Sequence, residues 1–190
     1  MNLFEAFGLN KGDIIAVTGG GGKTSLMYAL GREAQALGLR PVLTTTTKIL
    51  PPTDAGYALL VENEPEALTL LIQEELSSGS QLVIGSGIAG DGKLLGMDCS
   101  VIPLLSAGGV GLVVVEADGS AGRPFKAPGP HEPVVPPAST HVVTVVGIDC
   151  LGRPLLPEYI HRPELVERLT GLRLGQPVTP QVVARVLTHP

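Results

Sequence analysis

Short apolar runs alternate along the chain with segments that carry hydrophobic residues at helical spacing. The apolar runs predict buried strands because they are strand-sized and bounded by glycine, threonine or carboxylates. They cover residues 13–18, 41–45, 81–85, 111–116 and 141–147. Helical spacing over 23–37 ends at Gly38, and a second helix is predicted between Pro65 and Gly79. Buried strands separated by helices predict an α/β fold of three α/β/α layers with a mainly parallel sheet, which binds ligands beyond the carboxyl ends of its strands.

A long segment rich in proline and glycine, residues 117–140, follows the fourth predicted strand. Unstructured loops of this length are uncommon in compact domains and often functional, so we expect a functional loop here. Two short helices are predicted after it, entered through Pro163 and Pro180. We interpret residues 1–190 as a single domain. Because the chain stops at Pro190 soon after the last helix begins, we also expect its C-terminal end to be truncated.

Composition limits the partners that the protein can have. The net charge is -5 without a basic run, and aromatic residues make up only 3%, which argues against DNA or RNA. The N-terminus lacks the pattern of a signal peptide, and the apolar runs are too short for a membrane span. Cys99 and Cys150 lie far apart and predict neither a disulfide framework nor a zinc site. We therefore expect a cytoplasmic protein without nucleic-acid or membrane partners.

One strand-to-helix junction combines four glycines with a lysine and a hydroxyl. After Thr18 the chain continues with Gly19, Gly20, Gly21, Gly22, Lys23, Thr24 and Ser25. Glycines can adopt positive φ, and their backbone N–H groups can surround phosphate oxygens at the positive end of the following helix. Lys23 can reach the β- and γ-phosphates, and the Thr24 hydroxyl can ligate Mg²⁺. The junction predicts a P-loop NTPase-like, nucleotide-binding domain that takes Mg²⁺ with ATP or GTP.

The glycine segment departs from the standard P-loop pattern GxxxxGK[ST], which would need a glycine at Val17. It fits a shorter form, GxxGKT, and resembles the loop of Mur ligases. A dinucleotide-binding (Rossmann) loop is a poorer match, because its third glycine would fall on Thr24 or Ser25. That loop also needs an acidic residue after the second strand, where this chain has threonines and Lys48.

Two carboxylates follow the most strand-like run of the chain, Glu116 and Asp118 at alternate positions. Side chains two residues apart in a strand face the same way, so both can address one metal ion. Either can instead orient an attacking water, and Asp118 before Gly119 can also cap a turn. We expect Thr24, Glu116 and Asp118 to hold Mg²⁺.

Polar residues that follow the second strand lie at the same predicted sheet edge. The hydroxyls of Thr45 and Thr46 can hydrogen-bond to γ-phosphate or metal-bound water, and Lys48 can neutralise charge. β-branched residues also favour strands for their own sake, so a plain strand end is the alternative. We include Thr45, Thr46 and Lys48 with the glycine segment in the predicted nucleotide site.

The long loop supplies further candidates. Lys126 can stabilise charge in phosphoryl transfer or bind a second, anionic substrate, and His131 beside Glu132 can act as an acid or base. These side chains can equally be solvated loop residues, and we expect Arg162, which opens a helix, to be structural. The predicted catalytic residues are Lys23, Glu116, Asp118, Lys126 and His131.

Six segments in this order resemble one family over nearly the whole chain. They are residues 18–24, 44–48, 116–120, 126–128, 131–133 and 161–164. The resemblance is to the YqeC family of accessory proteins of selenium-dependent molybdenum hydroxylases, and the segment Glu-Ala-Asp-Gly-Ser is distinctive. It implies a role in maturing or selenating the molybdenum cofactor of these enzymes. The implied partners are a molybdenum hydroxylase or its cofactor-maturation proteins.

Three functions stay open at this point. The first is a Mg²⁺-dependent nucleoside triphosphate binding protein, a slow NTPase, that serves hydroxylase maturation. The second is a Mur-ligase-like kinase or ligase that passes phosphate to a small acceptor. The third is a non-catalytic module that uses nucleotide only as a switch.

Overall fold

The structure is a computed structural model that describes residues 2–53, 56–77, 79, 81–106 and 108–189. Its strands are β1 Asp13–Gly20, β2 Pro41–Thr45, β3 Lys48–Ile49, β4 Tyr57–Val61, β5 Gln81–Gly85, β6 Gly87–Ile88, β7 Leu94–Leu95, β8 Leu112–Glu116, β9 Phe125–Lys126, β10 His141–Val146 and β11 Ile160–His161. Its α-helices are α1 Leu3–Phe7, α2 Lys23–Ala36, α3 Pro65–Ser77, α4 Ile102–Leu105, α5 Pro163–Thr170 and α6 Pro180–Leu187, and a 3₁₀ turn covers Ile148–Cys150. None of the helices in these described segments is long and apolar enough to span a bilayer.

Six strands form the main sheet in the order β10-β1-β8-β2-β5-β4, and neighbouring strands run parallel. The predicted parallel α/β fold is therefore confirmed. In the register of the sheet, Val17 of β1 pairs with Glu116 of β8, and Gly19 pairs with Val145 of β10. This register places the glycines and the first carboxylate at the same carboxyl edge.

The central strands are buried on both faces because successive side chains enter opposite layers. Ile14 and Val113 belong to the core under α3 and α4. Ile15, Val17 and Val114 belong to the core under α1 and α2. Helices thus cover both faces of the sheet, which explains why these strands are nearly continuous hydrophobic runs.

A third apolar cluster is formed by residues that follow β8 in the sequence. It contains Phe125, Ala127, Cys150, Leu155, Ile160, Val166, Val178 and Val186. Segment 117–140 is consequently not a structureless loop: burial of Phe125 anchors it, and β9 pairs in parallel with β11. The two helices predicted after this segment are confirmed as α5 and α6, and α6 begins at a Thr179 side chain that accepts from the backbone N–H of Val182.

Candidate functional site

The glycine segment is a tightly packed continuation of β1 into α2. Gly19, Gly21 and Gly22 have φ values of +93°, +67° and +96°, in the region that favours glycine. Gly22 is the N-cap of α2, so no cap side chain satisfies the first N–H groups of the helix. The segment therefore presents backbone N–H groups and a helix N-terminus at the carboxyl edge of the sheet.

Replacing Gly19 with alanine is expected to destabilise the fold strongly. A Cβ at this position would lie 2.1 Å from the carbonyl oxygen of Val145, which is backbone and cannot move aside cheaply. We expect a loss of about 3 kcal/mol in the free energy of unfolding, measured by urea denaturation. Gly12 has nearly the same φ, +94°, and open space around it. Gly12→Ala should therefore cost only about 1 kcal/mol, and equal losses would show that the clash is unimportant.

Lys23 lies at the centre of the site and its side chain is only 4% exposed. Its Nζ donates to the carbonyl of Gly19 at 2.9 Å and to the Ser120 hydroxyl at 3.3 Å. The same ammonium lies 3.7 Å from Glu116 and 3.5 Å from Asp118. One buried cation therefore joins the glycine segment to both predicted carboxylates.

Glu116 and Thr24 lie on the side of the site that lines a cavity of about 600 Å³. The Thr24 hydroxyl donates to Glu116 Oε2 at 2.8 Å. Burial raises the pKa of the Glu116 carboxyl, while the Thr24 hydrogen bond and the charge of Lys23 partly oppose that shift. The pair places a hydroxyl oxygen and a carboxylate next to the start of α2.

Asp118 lies two residues beyond the end of β8 yet still reaches the glycine segment. Its Oδ2 accepts the backbone N–H of Gly19 at 3.0 Å and lies 3.2 Å from Lys126 Nζ. Its Oδ1 is buried and accepts no hydrogen bond, with the Lys23 ammonium 3.5 Å away. The two carboxylates thus share Lys23 but otherwise have different partners.

Lys126, Glu132 and Arg162 extend this chain of charges. Lys126, whose side chain is buried, donates to the carbonyl of Gly119 at 2.6 Å and to Glu132. Arg162 binds both oxygens of Glu132, at 2.6 and 3.0 Å. The hydrogen bond from Arg162 has the largest effect, and together with the contacts of Lys126 it lowers the pKa of the Glu132 carboxyl to about 2.

Opposite charges alternate along the whole path, which we call the charged chain: Glu116, Lys23, Asp118, Lys126, Glu132 and Arg162. Its formal charges cancel, as expected for ionised groups withdrawn from water. Sequence reasoning placed Arg162 outside the site. Residues 161–164 are one of the six segments of the family resemblance, so the resemblance could have pointed to Arg162. The segment has no local sequence pattern that marks a functional site.

The threonines after β2 make contacts with the backbone. The Thr45 hydroxyl donates to the carbonyl of Glu116 at 2.8 Å, and that of Thr46 donates to the carbonyl of Val134 at 2.7 Å. They hold the end of β8 and the long segment in place, while Lys48 is exposed at the larger cavity. Their contact with phosphate stays a prediction.

Two predicted site residues lie apart from the others. Ser25 is exposed on α2, and His131 is exposed beside Glu132. Neither is among the residues that line the two cavities next to the glycine segment. The structure therefore brings Lys23, Thr24, Glu116, Asp118 and Lys126 together but leaves Ser25 and His131 at the surface.

Two cavities flank the glycine segment. The larger, of about 600 Å³, is lined by Gly21, Gly22, Lys23, Thr24, Lys48, Ile49, Leu50, Lys93, Glu116, Gly119, Ser120, Ala121 and Gly122. The smaller, of about 170 Å³, is lined by Asp118, Lys126 and the end of β10 among others. Glu116 and Lys23 face the first cavity and Asp118 and Lys126 the second, so the charged chain runs between them.

The donor atoms suit a hard cation such as Mg²⁺. The Thr24 hydroxyl and the Glu116 carboxylate supply oxygens, which are the ligands that Mg²⁺ prefers. Among the described residues, no three or more His, Cys, Asp or Glu side chains cluster as a metal cage. Mg²⁺ commonly binds through one or two carboxylates together with substrate phosphates, so this sparse set fits it.

Comparison with known proteins agrees with this constellation of segments. The family model described as "YqeC protein" matches residues 15–164. The chain belongs to the YqeC family. A YqeC relative from Escherichia coli (strain K12), whose printed name is "Uncharacterized protein YqeC", is 33% identical over 178 residues, 93% of this chain and 68% of the relative. No solved structure matches. Every member of the charged chain, from Lys23 to Arg162, lies within the matched YqeC range.

Proposed function

We propose that this protein binds a nucleoside triphosphate with Mg²⁺ in the larger cavity and hydrolyses it slowly, as a P-loop NTPase-like protein. The main support for this proposal is a set of contacts between the start of α2 and the end of β8. Lys23 and Thr24, the first two residues of α2, both contact Glu116 at the end of the neighbouring strand β8. A lysine and a hydroxyl after a glycine turn, facing a carboxylate at an adjacent strand end, are the parts that a P-loop site requires.

The larger cavity suits a polyanionic ligand in size and charge. Its volume of about 600 Å³ lies within the usual range for small-molecule sites. Lys23, Lys48 and Lys93 supply positive charge to its lining, and Gly22 leaves the N-terminus of α2 accessible to an anion. The phosphates would lie against the glycine segment and the start of α2.

The ion pairs of Lys23 support its proposed role in binding phosphate. Its ammonium is buried and neutralised by Glu116 and Asp118. A triphosphate brings competing negative charge to the same cation, so Lys23 can exchange a carboxylate contact for a phosphate contact without leaving an unpaired buried charge. The ion pairs thus keep the lysine oriented before the ligand arrives.

Thr24 and Glu116 are the residues that would hold Mg²⁺. When bound, the ion would neutralise charge on the phosphate oxygens. Asp118, the third predicted ligand, accepts from Gly19 and contacts Lys126, so we assign it the positioning of the glycine segment and Lys23. We expect slow hydrolysis, because NTPases of this class often need a cationic group from a partner for fast turnover.

Titration calorimetry with ATP and with GTP, each with and without Mg²⁺, tests the proposal. We expect heat of binding with at least one nucleotide and affinity at least tenfold weaker when EDTA replaces Mg²⁺. Release of inorganic phosphate should exceed the protein-free background by a small multiple. Absence of binding heat with both nucleotides would refute the proposal.

We propose further, from the family resemblance, that the nucleotide site serves maturation of selenium-dependent molybdenum hydroxylases. Deleting the gene in a host that makes such a hydroxylase should lower the activity of the hydroxylase without lowering its amount. The wild-type gene should restore activity and the Lys23→Ala variant should not. Normal hydroxylase activity in the deletion strain would contradict this role.

A further inference from the structure

A groove beside α2 continues the larger cavity along two stretches of the chain. Its lining residues are Tyr28, Arg32, Pro52, Thr53 and Tyr57, and we call it the aromatic groove. On α2, Thr24 lines the larger cavity and Tyr28, one helical turn further on, lines the aromatic groove. In the same way residues 49–50 line the larger cavity and residues 52–53 line the groove. Two separate walls therefore lead from the cavity into the groove.

Tyr28 points back toward the proposed metal ligands. Side chains in an α-helix lean toward its N-terminus, which places the ring of Tyr28 over the turn that begins near Thr24. Burial, the neighbouring Tyr57 and the negative charge of Glu116 raise the pKa of Tyr28. Glu116 also accepts the hydrogen bond of Thr24, so Tyr28 and Thr24 both lie near that carboxylate. The aromatic groove thus begins beside the place where the phosphates and Mg²⁺ would bind.

Two tyrosine rings give the aromatic groove its apolar surface. The ring centroids of Tyr28 and Tyr57 are 4.8 Å apart, and the ring planes are inclined at 60°. Such an edge-to-face pair uses at most one face of one ring, and both tyrosines are only half-buried. A flat ligand ring can therefore stack here, as nucleobases do on aromatic side chains. The volume of about 140 Å³ suits one such ring, since a cavity of about 150 Å³ holds benzene.

Arg32 supplies the polar end of the aromatic groove. It lies four residues after Tyr28 on the same face of α2, and it is exposed. Within the part of the chain that the structure describes, it has no hydrogen-bond or ion-pair partner. A guanidinium has five N–H donors and no acceptor, so it selects a ligand that presents acceptors. Guanine presents two side by side, O6 and N7, whereas adenine has an amino group in place of O6.

We propose that the aromatic groove binds the base of the nucleotide and that this base is guanine, with its ring against Tyr28 and its O6 and N7 accepting from Arg32. The assignment rests on the proposed function, because phosphates bound in the larger cavity bring the base to the groove. Thr24 and Arg32 are eight residues apart on α2, a helical rise of about 12 Å. Arg32 therefore lies beyond the phosphates at the start of α2, at the distance where the base would be.

Three ligands with Mg²⁺ test this by titration calorimetry of the full chain: GTP, ATP and inorganic tripolyphosphate, which has phosphates and no base. We expect GTP to bind at least about tenfold more tightly than tripolyphosphate because of stacking, and at least about fivefold more tightly than ATP because of Arg32. Equal affinities for all three would overturn the base assignment and leave phosphate binding standing. Tighter binding of ATP than of GTP would overturn the choice of guanine. Absence of binding by all three would refute the proposed function itself.

Variants of Tyr28 locate the base. Tyr28→Leu keeps an apolar side chain and removes the ring, so it should weaken GTP binding at least about fivefold and leave tripolyphosphate binding unchanged. Tyr28→Phe keeps the ring and should bind GTP as the wild type does. Equal weakening of GTP and tripolyphosphate by Tyr28→Leu would mean that the substitution acts on the larger cavity, and it would overturn the assignment of the base to the groove.

A matched pair of arginine variants tests the choice of base. Arg32→Ala should abolish the preference for GTP over ATP and leave tripolyphosphate binding unchanged. Arg168 is also exposed on a helix, α5, and lines neither the larger cavity nor the aromatic groove. Arg168→Ala should therefore keep the preference for GTP. A preference that survives Arg32→Ala would overturn the contact between guanine and Arg32.

Discussion

The Lys23→Ala variant is expected to bind Mg²⁺–nucleotide at least about a hundredfold more weakly than the wild type. Lys23 is the buried cation that contacts the glycine segment, and its charge-assisted contacts with the β- and γ-phosphates would contribute about 1.5–3 kcal/mol each. Each 1.4 kcal/mol corresponds to tenfold in affinity, which gives the expected factor. Titration calorimetry against wild type measures the loss. Lys11→Ala, which removes an exposed lysine outside the cavity lining, should bind as the wild type does.

Loss of Lys23 also leaves two buried carboxylates without their shared cation, so stability must be measured beside affinity. We expect Lys23→Ala to lose roughly 3 kcal/mol of unfolding free energy. Thr24→Val separates the two effects, because it removes the hydroxyl that contacts Glu116 and keeps the shape of the side chain. It should remain folded and lose most of the Mg²⁺ dependence of nucleotide binding.

Ser25 provides the comparison for Thr24. It is the adjacent hydroxyl, and it is exposed on α2. Ser25→Ala should therefore keep both the affinity and the Mg²⁺ dependence. If Ser25→Ala and Thr24→Val behaved alike, the metal assignment to Thr24 and Glu116 would be wrong.

The Glu132→Gln variant is expected to lose about 2 kcal/mol of unfolding free energy at pH 7. The change removes the charge that pairs with Lys126 and binds Arg162 through both oxygens. This loss is smaller than the lowered pKa of Glu132 would imply by itself, because Glu132 is only half-buried and solvent screens part of the interaction. Urea denaturation of the wild type and the variant measures the loss.

The pH dependence of that loss identifies its cause. The pKa of Glu132 is about 2 in the folded chain, below the value of 4.5 for a free glutamate. A lowered pKa means that the folded state favours the ionised form, so the stabilisation is complete above about pH 4.5 and declines as pH falls toward 2. The difference between wild type and Glu132→Gln should shrink in that window. A difference that stays constant down to pH 3 would contradict an electrostatic origin.

A control for Glu132 lies on the same part of the chain. Glu158 is exposed, so Glu158→Gln should change stability by less than about 0.5 kcal/mol at any of these pH values. Glu132→Gln should also weaken nucleotide binding much less than Lys23→Ala does, because Asp118 and Lys126 lie between Glu132 and Lys23 in the charged chain. An equal loss of nucleotide binding would mean that the whole charged chain moves as one unit.

Local patterns were sufficient for the elements that are buried on both faces or amphipathic over several turns. The helix predicted over 23–37 is α2, and the predicted strand at 81–85 is β5. The edge strand β4, Tyr57–Val61, was missed because its five apolar residues show no alternation, and so short an apolar run cannot be told from part of a helix by periodicity. The two-residue strands β9 and β11 were missed because so few residues carry no periodicity.

For the site, the sequence predicted most of the charged and hydroxyl groups that come together. It did not predict which of these groups contact each other. The prediction that Glu116 and Asp118 would face the same way assumed that β8 continues to Asp118, whereas the strand ends at Glu116. The two carboxylates instead contact Lys23 and line different cavities. Arg162 was judged from its neighbours along the chain, and its bond to Glu132 depends on the pairing of β9 with β11.

By itself the sequence determined the parallel α/β fold, the glycine turn with Lys23 and Thr24, and the acidic end of β8. These features depend on residues close together in the chain, where strand length, helical spacing and glycine conformation act locally. Only the tertiary structure decided that Glu116 meets Thr24 across 92 positions and that charges alternate as far as Arg162. Those contacts follow from strand order and register, which long-range hydrogen bonds and packing select and which no local periodicity records.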